Sequence, residues 1–391
     1  MSQLDAKGCG SPMKVVRQKI RFDKQLLDKD ALNVVSVLTK AGHETYLVGG
    51  CIRDLLLDYK PKDFDIATSA TPEQAHKLFK RSRLIGRRFR LLHVMFSARK
   101  FLEVATFRAG KVQVINNGKS LRDNIYGSVE EDAWRRDFTV NALYYDIAKS
   151  EVIDYVGGLE DLKSGRIEMI GDPVERFKED PVRMIRAARF QVKLGANLSK
   201  DILQAIINNA VLLGNIPPAR LFDECIKLFH NERGLETFQL LEKLGLLKHL
   251  FKQTESTSFI EKALVNTSQR IKAGKSVTPA FIFAVFLWQA QNQRFEQLST
   301  KKKSRLVLMN QASDEVIKKQ AEQVMIPKWL SARVRDTWLM QHRLENCQSK
   351  KEREMIGHPR FRMAYDFLLL RSQSINPELK ERADRWTQLQ K

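Results

Sequence analysis

Near residue 150 the hydrophobic pattern of the chain changes period, and that change limits the fold more than any other feature. Upstream, short apolar runs alternate with amphipathic stretches. Residues 30–40 (Leu32, Val35, Leu38) read as a helix closed by Ala41-Gly42, 45–48 as a strand, 52–57 as a helix and 64–67 as a second strand. Residues 72–79 form a helix opened by Thr71 with proline at its first position, and 94–96 and 102–107 add strands. Downstream the period is helical: 180–194, 200–209, 219–230 and 235–244. Alternation followed by continuous helix predicts an α/β head and an all-α remainder. The expected divisions are a basic, loose N-terminal arm (1–27), a head (28–150), a neck (151–215) and a helical body (216–391).

The charge balance narrows the partner. Lys and Arg number 67 against 46 Asp and Glu, a surplus of +21 that favours a polyanion such as nucleic acid. The longest apolar run, 281–288, is too short to span a bilayer, and the N-terminus has no apolar signal region. Cys9, Cys51, Cys225 and Cys347 lie far apart and suggest neither a zinc site nor a disulfide framework, which fits a cytoplasmic protein.

The strongest chemical signal is Tyr46-Leu-Val-Gly49-Gly50-Cys-Ile-Arg53-Asp54 followed by Lys62-Asp63-Phe64-Asp65-Ile-Ala-Thr68. Aspartates two apart on a strand share a face, with Phe64 turned to the core. Adjacent carboxylates repel unless a cation lies between them, an arrangement suited to Mg²⁺ and to in-line nucleotidyl transfer. Gly49-Gly50 lets the backbone approach a triphosphate, the following helix offers its N–H groups, and Arg53 adds a charge-assisted contact. A third carboxylate comes from Glu103, whose alternative is a plain edge-strand charge, or from Asp137, whose alternative is an ion pair with Arg135 and Arg136.

These residues resemble the class II tRNA nucleotidyltransferase and bacterial poly(A) polymerase family, within the polymerase-β-like nucleotidyltransferases. LVGGCIRD, KDFDIAT, EEDAWRRDFTVNALYYD, DYVGGLEDL, IEMIGDP and EDPVRMIRAARF occur in the family's order, and IPPARLFDECIKLF looks like its body helices. The resemblance implies a polymerase-β-like head followed by an all-α neck and body. It assigns Asp63 and Asp65 to metal and catalysis, and Asp137 to the active site. Arg135 and Arg136 fall beside the incoming nucleotide, and Gly49, Gly50, Arg53, Asp54 and Asn141 complete the nucleotide-binding set. Asp180 and Arg183 fall on the base, with Arg186 holding phosphate or ordering the helix. An aspartate accepting from an exocyclic amine and an arginine donating to a ring nitrogen match adenine and cytosine but not uracil or guanine.

The head cannot choose between poly(A) addition and CCA addition. The segment 84–94, with Arg87, Arg88 and Arg90, resembles the part that marks bacterial poly(A) polymerases, and its arginines are candidates for RNA phosphate. The implied activity is template-independent addition of AMP from ATP to RNA 3′ ends, with RNA-degradation or RNA-chaperone partners. The alternatives are a CCA-adding enzyme using CTP and ATP, a non-catalytic RNA-binding protein on the same fold, and a small-molecule or protein nucleotidyltransferase. Scattered basic stretches, among them Lys301–303 and Arg333-Val-Arg335, predict salt-sensitive RNA binding. The chain stops at Lys391 without the long arginine-rich tail expected of some members, which bears on processivity and docking.

Overall fold

The computed structural model describes residues 15–86, 90–98, 100–109, 126–255, 257–300 and 302–390. Its first compact unit runs to Arg176 and adds Ala196–Ile202; the second comprises Phe177–Gly195 and Leu203–Lys391.

The first unit is built on eight strands: β1 (Val16–Lys19), β2 (Thr45–Val48), β3 (Asp65–Thr68), β4 (Ser82–Ile85), β5 (Leu91–Met95), β6 (Phe101–Thr106), β7 (Leu143–Asp146) and β8 (Glu151–Asp154). Their order is β1-β8-β7-β2-β3-β6-β5-β4. Neighbours are antiparallel except β3 and β6, which run parallel with Asp65 opposite Glu103. Side chains alternate across the sheet as the strand period demands. Leu47 and Ile66 join Val34, Val35 and Leu38 on one face, while Tyr46, Val48, Ala67 and Tyr144 form the core of the other.

Local chemistry explains the helices that pack on the sheet. Helix α1 (Lys29–Lys40) begins where Asp28 accepts from the backbone N–H of Asp30 (2.8 Å) and Ala31 (3.1 Å). Helix α2 (Gly50–Leu56) follows β2 directly, and α3 (Pro72–Leu78) opens with a Thr71/Gln74 capping box. Helix α4 (Val129–Trp134) opens with the same device from Ser128 and Glu131.

The expected divisions shift in two places. Residues 16–19, assigned to a loose arm, form an edge strand on β8. The head also continues past 150, because β8 and the short parallel pair Arg166–Ile167 with Asn197–Leu198 belong to the first unit.

The second unit is helical, as the period predicted. Val182–Leu194, Lys200–Asn209, Pro218–Phe229 and Gly234–Lys243 fall within two residues of expectation. Its core is aromatic: Phe286 packs against Phe229 and Phe251, both with centroids 5.0 Å away. The apolar run at 281–288 is explained by burial, since every residue of Pro279–Phe286 after the proline is buried. No helix among the described residues is long and apolar enough to cross a membrane.

Candidate active site

Asp63 lies two residues before β3 and Asp65 opens it; both are exposed, while Phe64 and Ile66 are buried in the core. Surrounding protein nevertheless desolvates Asp65, and that burial first, then the Glu103 carboxylate, raises its pKa above the usual carboxylate range. Asp63 pushes the same way and Arg136 opposes. Crowded like charges with all-oxygen donors suit a hard divalent cation, so Asp63 and Asp65 fit Mg²⁺ with water and phosphate oxygens completing its shell. Among the described residues no three Asp, Glu, His or Cys side chains gather into a metal-holding cluster. Glu103 stands beside Asp65 in the sheet without making such a trio, and its Oε1 lies 3.4 Å from His93 Nε2.

Gly49 joins β2 to α2 at φ 80° and ψ −130°, a conformation reserved for glycine. A Cβ there would lie 3.4 Å from Arg136 Nη1, 3.5 Å from the Asn141 carbonyl and 4.0 Å from Asp65 Oδ2. The chain thus passes through the middle of the candidate site with only backbone. Cys51 is no nucleophile: burial pushes its thiol up to about 12.

Arg135, Arg136 and Asp137 follow the end of α4. Arg176 Nη2 donates to the carbonyls of Arg135 (2.7 Å) and Arg136 (2.6 Å), holding this turn in place. Arg135 Nη1 donates to the Ala109 carbonyl at 2.6 Å. Arg136 donates from Nε to the Tyr144 hydroxyl (3.0 Å) and from Nη2 to Asp132 Oδ2 (3.1 Å), which also accepts the Tyr144 hydroxyl at 2.7 Å. Asp137 Oδ1 accepts from the Phe138 backbone N–H (2.9 Å) and from Asn141 Nδ2 (3.2 Å). Asn141 Oδ1 in turn accepts from Arg53 Nη1.

Arg53 is placed differently from the expectation of an open phosphate ligand. It is 2% exposed, and its guanidinium also donates to Asp54 Oδ1 from Nε (2.9 Å) and Nη2 (2.6 Å). Asp54 is thereby part of the scaffold around Arg53. Sequence reasoning missed Asp132, Tyr144 and Arg176. Only Asp132 carried a local signal, since it precedes Arg136 by one helical turn.

In the second unit Asp180 precedes the helix Val182–Leu194 instead of lying on it. Its Oδ2 pairs with Arg220 at 2.6 Å, and Arg183 Nη1 donates to Glu179 at 2.9 Å. Arg186 lies over the Phe190 ring at 5.3 Å. Arg90, between β4 and β5, forms an exposed pair with Glu73 (2.5 Å). Arg87 and Arg88 lie outside the described residues.

Residues 45–168 match the family model described as the Poly A polymerase head domain. Residues 195–257 match "Probable RNA and SrmB- binding site of polymerase A", and 301–391 match "Polymerase A arginine-rich C-terminus". Poly(A) polymerase I of Escherichia coli O157:H7 is 45% identical over 96% of this chain and 85% of its own length. The chain belongs to the poly(A) polymerase family. Among poly(A) polymerases that coverage is decisive, because the CCA-adding enzyme of Bacillus velezensis is 37% identical over only 56% of this chain and 55% of its own. The Bacillus stearothermophilus CCA-adding enzyme, solved in complex with CTP, has a TM-score of 0.59 and 25% identity over 92% of this chain and 81% of its own. The stretch 301–391, read from its period as part of the helical body, is the one that this C-terminal family model matches.

Proposed function

We infer that the chain is a template-independent polynucleotide adenylyltransferase that extends RNA 3′ ends with AMP from ATP. The observation that carries this is similarity to poly(A) polymerase I along 96% of the chain, with the exposed Asp63 and Asp65 at the head's parallel strand pair. In the reaction the 3′-hydroxyl oxygen bonds to the α-phosphorus as the bond to pyrophosphate breaks. Mg²⁺, when held by Asp63 and Asp65, supplies the charge neutralisation that activates the hydroxyl and steadies the leaving pyrophosphate.

The chain's own residues do the rest. The backbone at Gly49-Gly50 gives the triphosphate room, and Arg136, fixed by Asp132 and Tyr144, presents a preorganised cation beside it. Asp137 is aimed by Asn141, and Arg135 lies next to Arg136 for the same nucleotide. Asp180 and Arg183 read the base edge, with Arg186 ordering their helix. Residues 195–257 and the basic C-terminal third carry RNA, with 195–257 the place for an SrmB-type partner. A cytoplasmic setting, where ATP and RNA 3′ ends are both at hand, fits this reading.

The test is incorporation from each nucleotide, alone and together, on tRNA lacking CCA and on unstructured RNA. Long A tracts on the unstructured RNA are expected. CTP-dependent repair of the tRNA, with no A tract on either RNA, would replace this reading with CCA addition.

A further inference from the structure

The chain has five tryptophans, at 134, 288, 329, 338 and 386. Trp288, Trp338 and Trp386 are buried, but Trp329 is 56% exposed on the first turn of the helix Lys328–Glu345. One turn on, Arg333 lays its guanidinium 5.5 Å from the Trp329 ring centroid. Exposed Lys328 stands beside the ring in sequence, and exposed Met325 precedes it. Met325 N–H donates to the Pro218 carbonyl at 3.0 Å, fastening this turn to the start of the helix Pro218–Phe229. That helix lies within the stretch matched to the RNA-binding family model, and two residues after Pro218 comes Arg220, the ion-pair partner of Asp180.

We propose that Trp329, backed by Arg333, is a stacking step for a base of the single-stranded RNA substrate. An indole with a cation on it and solvent access offers the π-surface that any unpaired base can cover. Lys328 and Arg333 supply the positive charge that the flanking phosphates require. A purely apolar protein surface would have to desolvate both cations, so it is a poorer occupant than RNA. The inference rests on RNA being the substrate and adds where a base is held outside the reacting centre.

The full chain is titrated with single-stranded oligoadenylate and with a blunt RNA duplex, alongside Trp329→Ala and Trp329→Phe. Trp329→Ala is expected to bind oligoadenylate about tenfold more weakly, with duplex affinity and the KM for ATP unchanged, and Trp329→Phe to stay near wild type. Oligoadenylate should quench the wild-type tryptophan fluorescence, and most of that quenching should vanish in Trp329→Phe, leaving only exposed Trp134. Wild-type affinity in Trp329→Ala, equal losses for duplex and single strand, or full quenching in Trp329→Phe would each overturn the proposal. Should Trp329→Ala fail to fold, the quenching in Trp329→Phe decides. If the wild-type chain binds neither RNA, the adenylyltransferase reading falls as well; if only Trp329→Ala is neutral, the stacking step alone falls.

Discussion

The Arg53 guanidinium is hydrogen-bonded to the side-chain oxygen of Asn141, 88 residues away in the chain. Asn141 turns its amide nitrogen to Asp137, so a buried cation on α2 is linked through one intermediary to the carboxylate proposed for the active site. Replacing Asn141 by Ala removes the acceptor inside the protein and should cost about 1–3 kcal/mol of stability. Denaturant unfolding measures this. If Arg53 instead served as an open phosphate ligand, Asn141→Ala would leave stability unchanged.

Gly49→Ala tests the backbone passage. At φ 80° any side chain is strained, and the added Cβ meets Arg136 at 3.4 Å. A loss of about 1–3 kcal/mol is expected from the strained backbone, together with a raised KM for ATP as the turn beside Arg136 shifts. An ATP KM equal to wild type would show that Gly49 has no part in the nucleotide site.

Asp65→Ala should abolish nucleotide addition while RNA affinity stays within about twofold. Loss of a direct metal ligand is expected to exceed the roughly 10–100-fold cost of removing an outer partner. Undiminished activity in that variant would overturn the assignment of the metal pair.

Asp180→Ala should loosen base choice. Without the acceptor for the exocyclic amine, the preference for ATP over UTP should fall about tenfold or more, as kcat/KM ratios would report. A uniform fall for every nucleotide, with the ratio intact, would instead make Asp180 a structural partner of Arg220.

A stability prediction lies far from the site. Glu352 is buried against Arg382 (3.0 Å) and Arg385 (2.9 Å). Its carboxyl is held below the ordinary value of 4.5, chiefly by the hydrogen bond from Arg385. The folded state therefore takes up this proton less readily than the unfolded chain. The contribution is full above the unfolded value and disappears as pH falls through the folded one. Glu352→Gln should lose about 1–3 kcal/mol at pH 7, and its stability should fall less steeply than wild type below pH 4.5. Parallel pH profiles for the two proteins would refute the linkage.

Helices were legible where the signal was local. Thr71, the Ala41-Gly42 stop and the apolar faces of 30–40 and 72–79 specify these helices within a dozen residues. Strands were less so. All four residues of β1 are exposed, and β7 is buried on both faces, so neither shows the alternation that marks a half-buried strand. Their places come from pairing with β8, a contact that spans more than a hundred residues for β1.

The aspartate pair at 63 and 65 was legible in the sequence as a two-residue spacing, but only Asp65 lies on the strand, with Asp63 two residues ahead of it. The change from alternating to helical period likewise determined the order of head and helical remainder. Only the tertiary structure decided that Arg53 lies buried against Asp54 and Asn141, that Asp132 and Tyr144 clamp Arg136, and that Arg176 caps the turn between them. The reason is physical: a charged side chain chooses its partner by distance and burial, and both are properties of the folded chain.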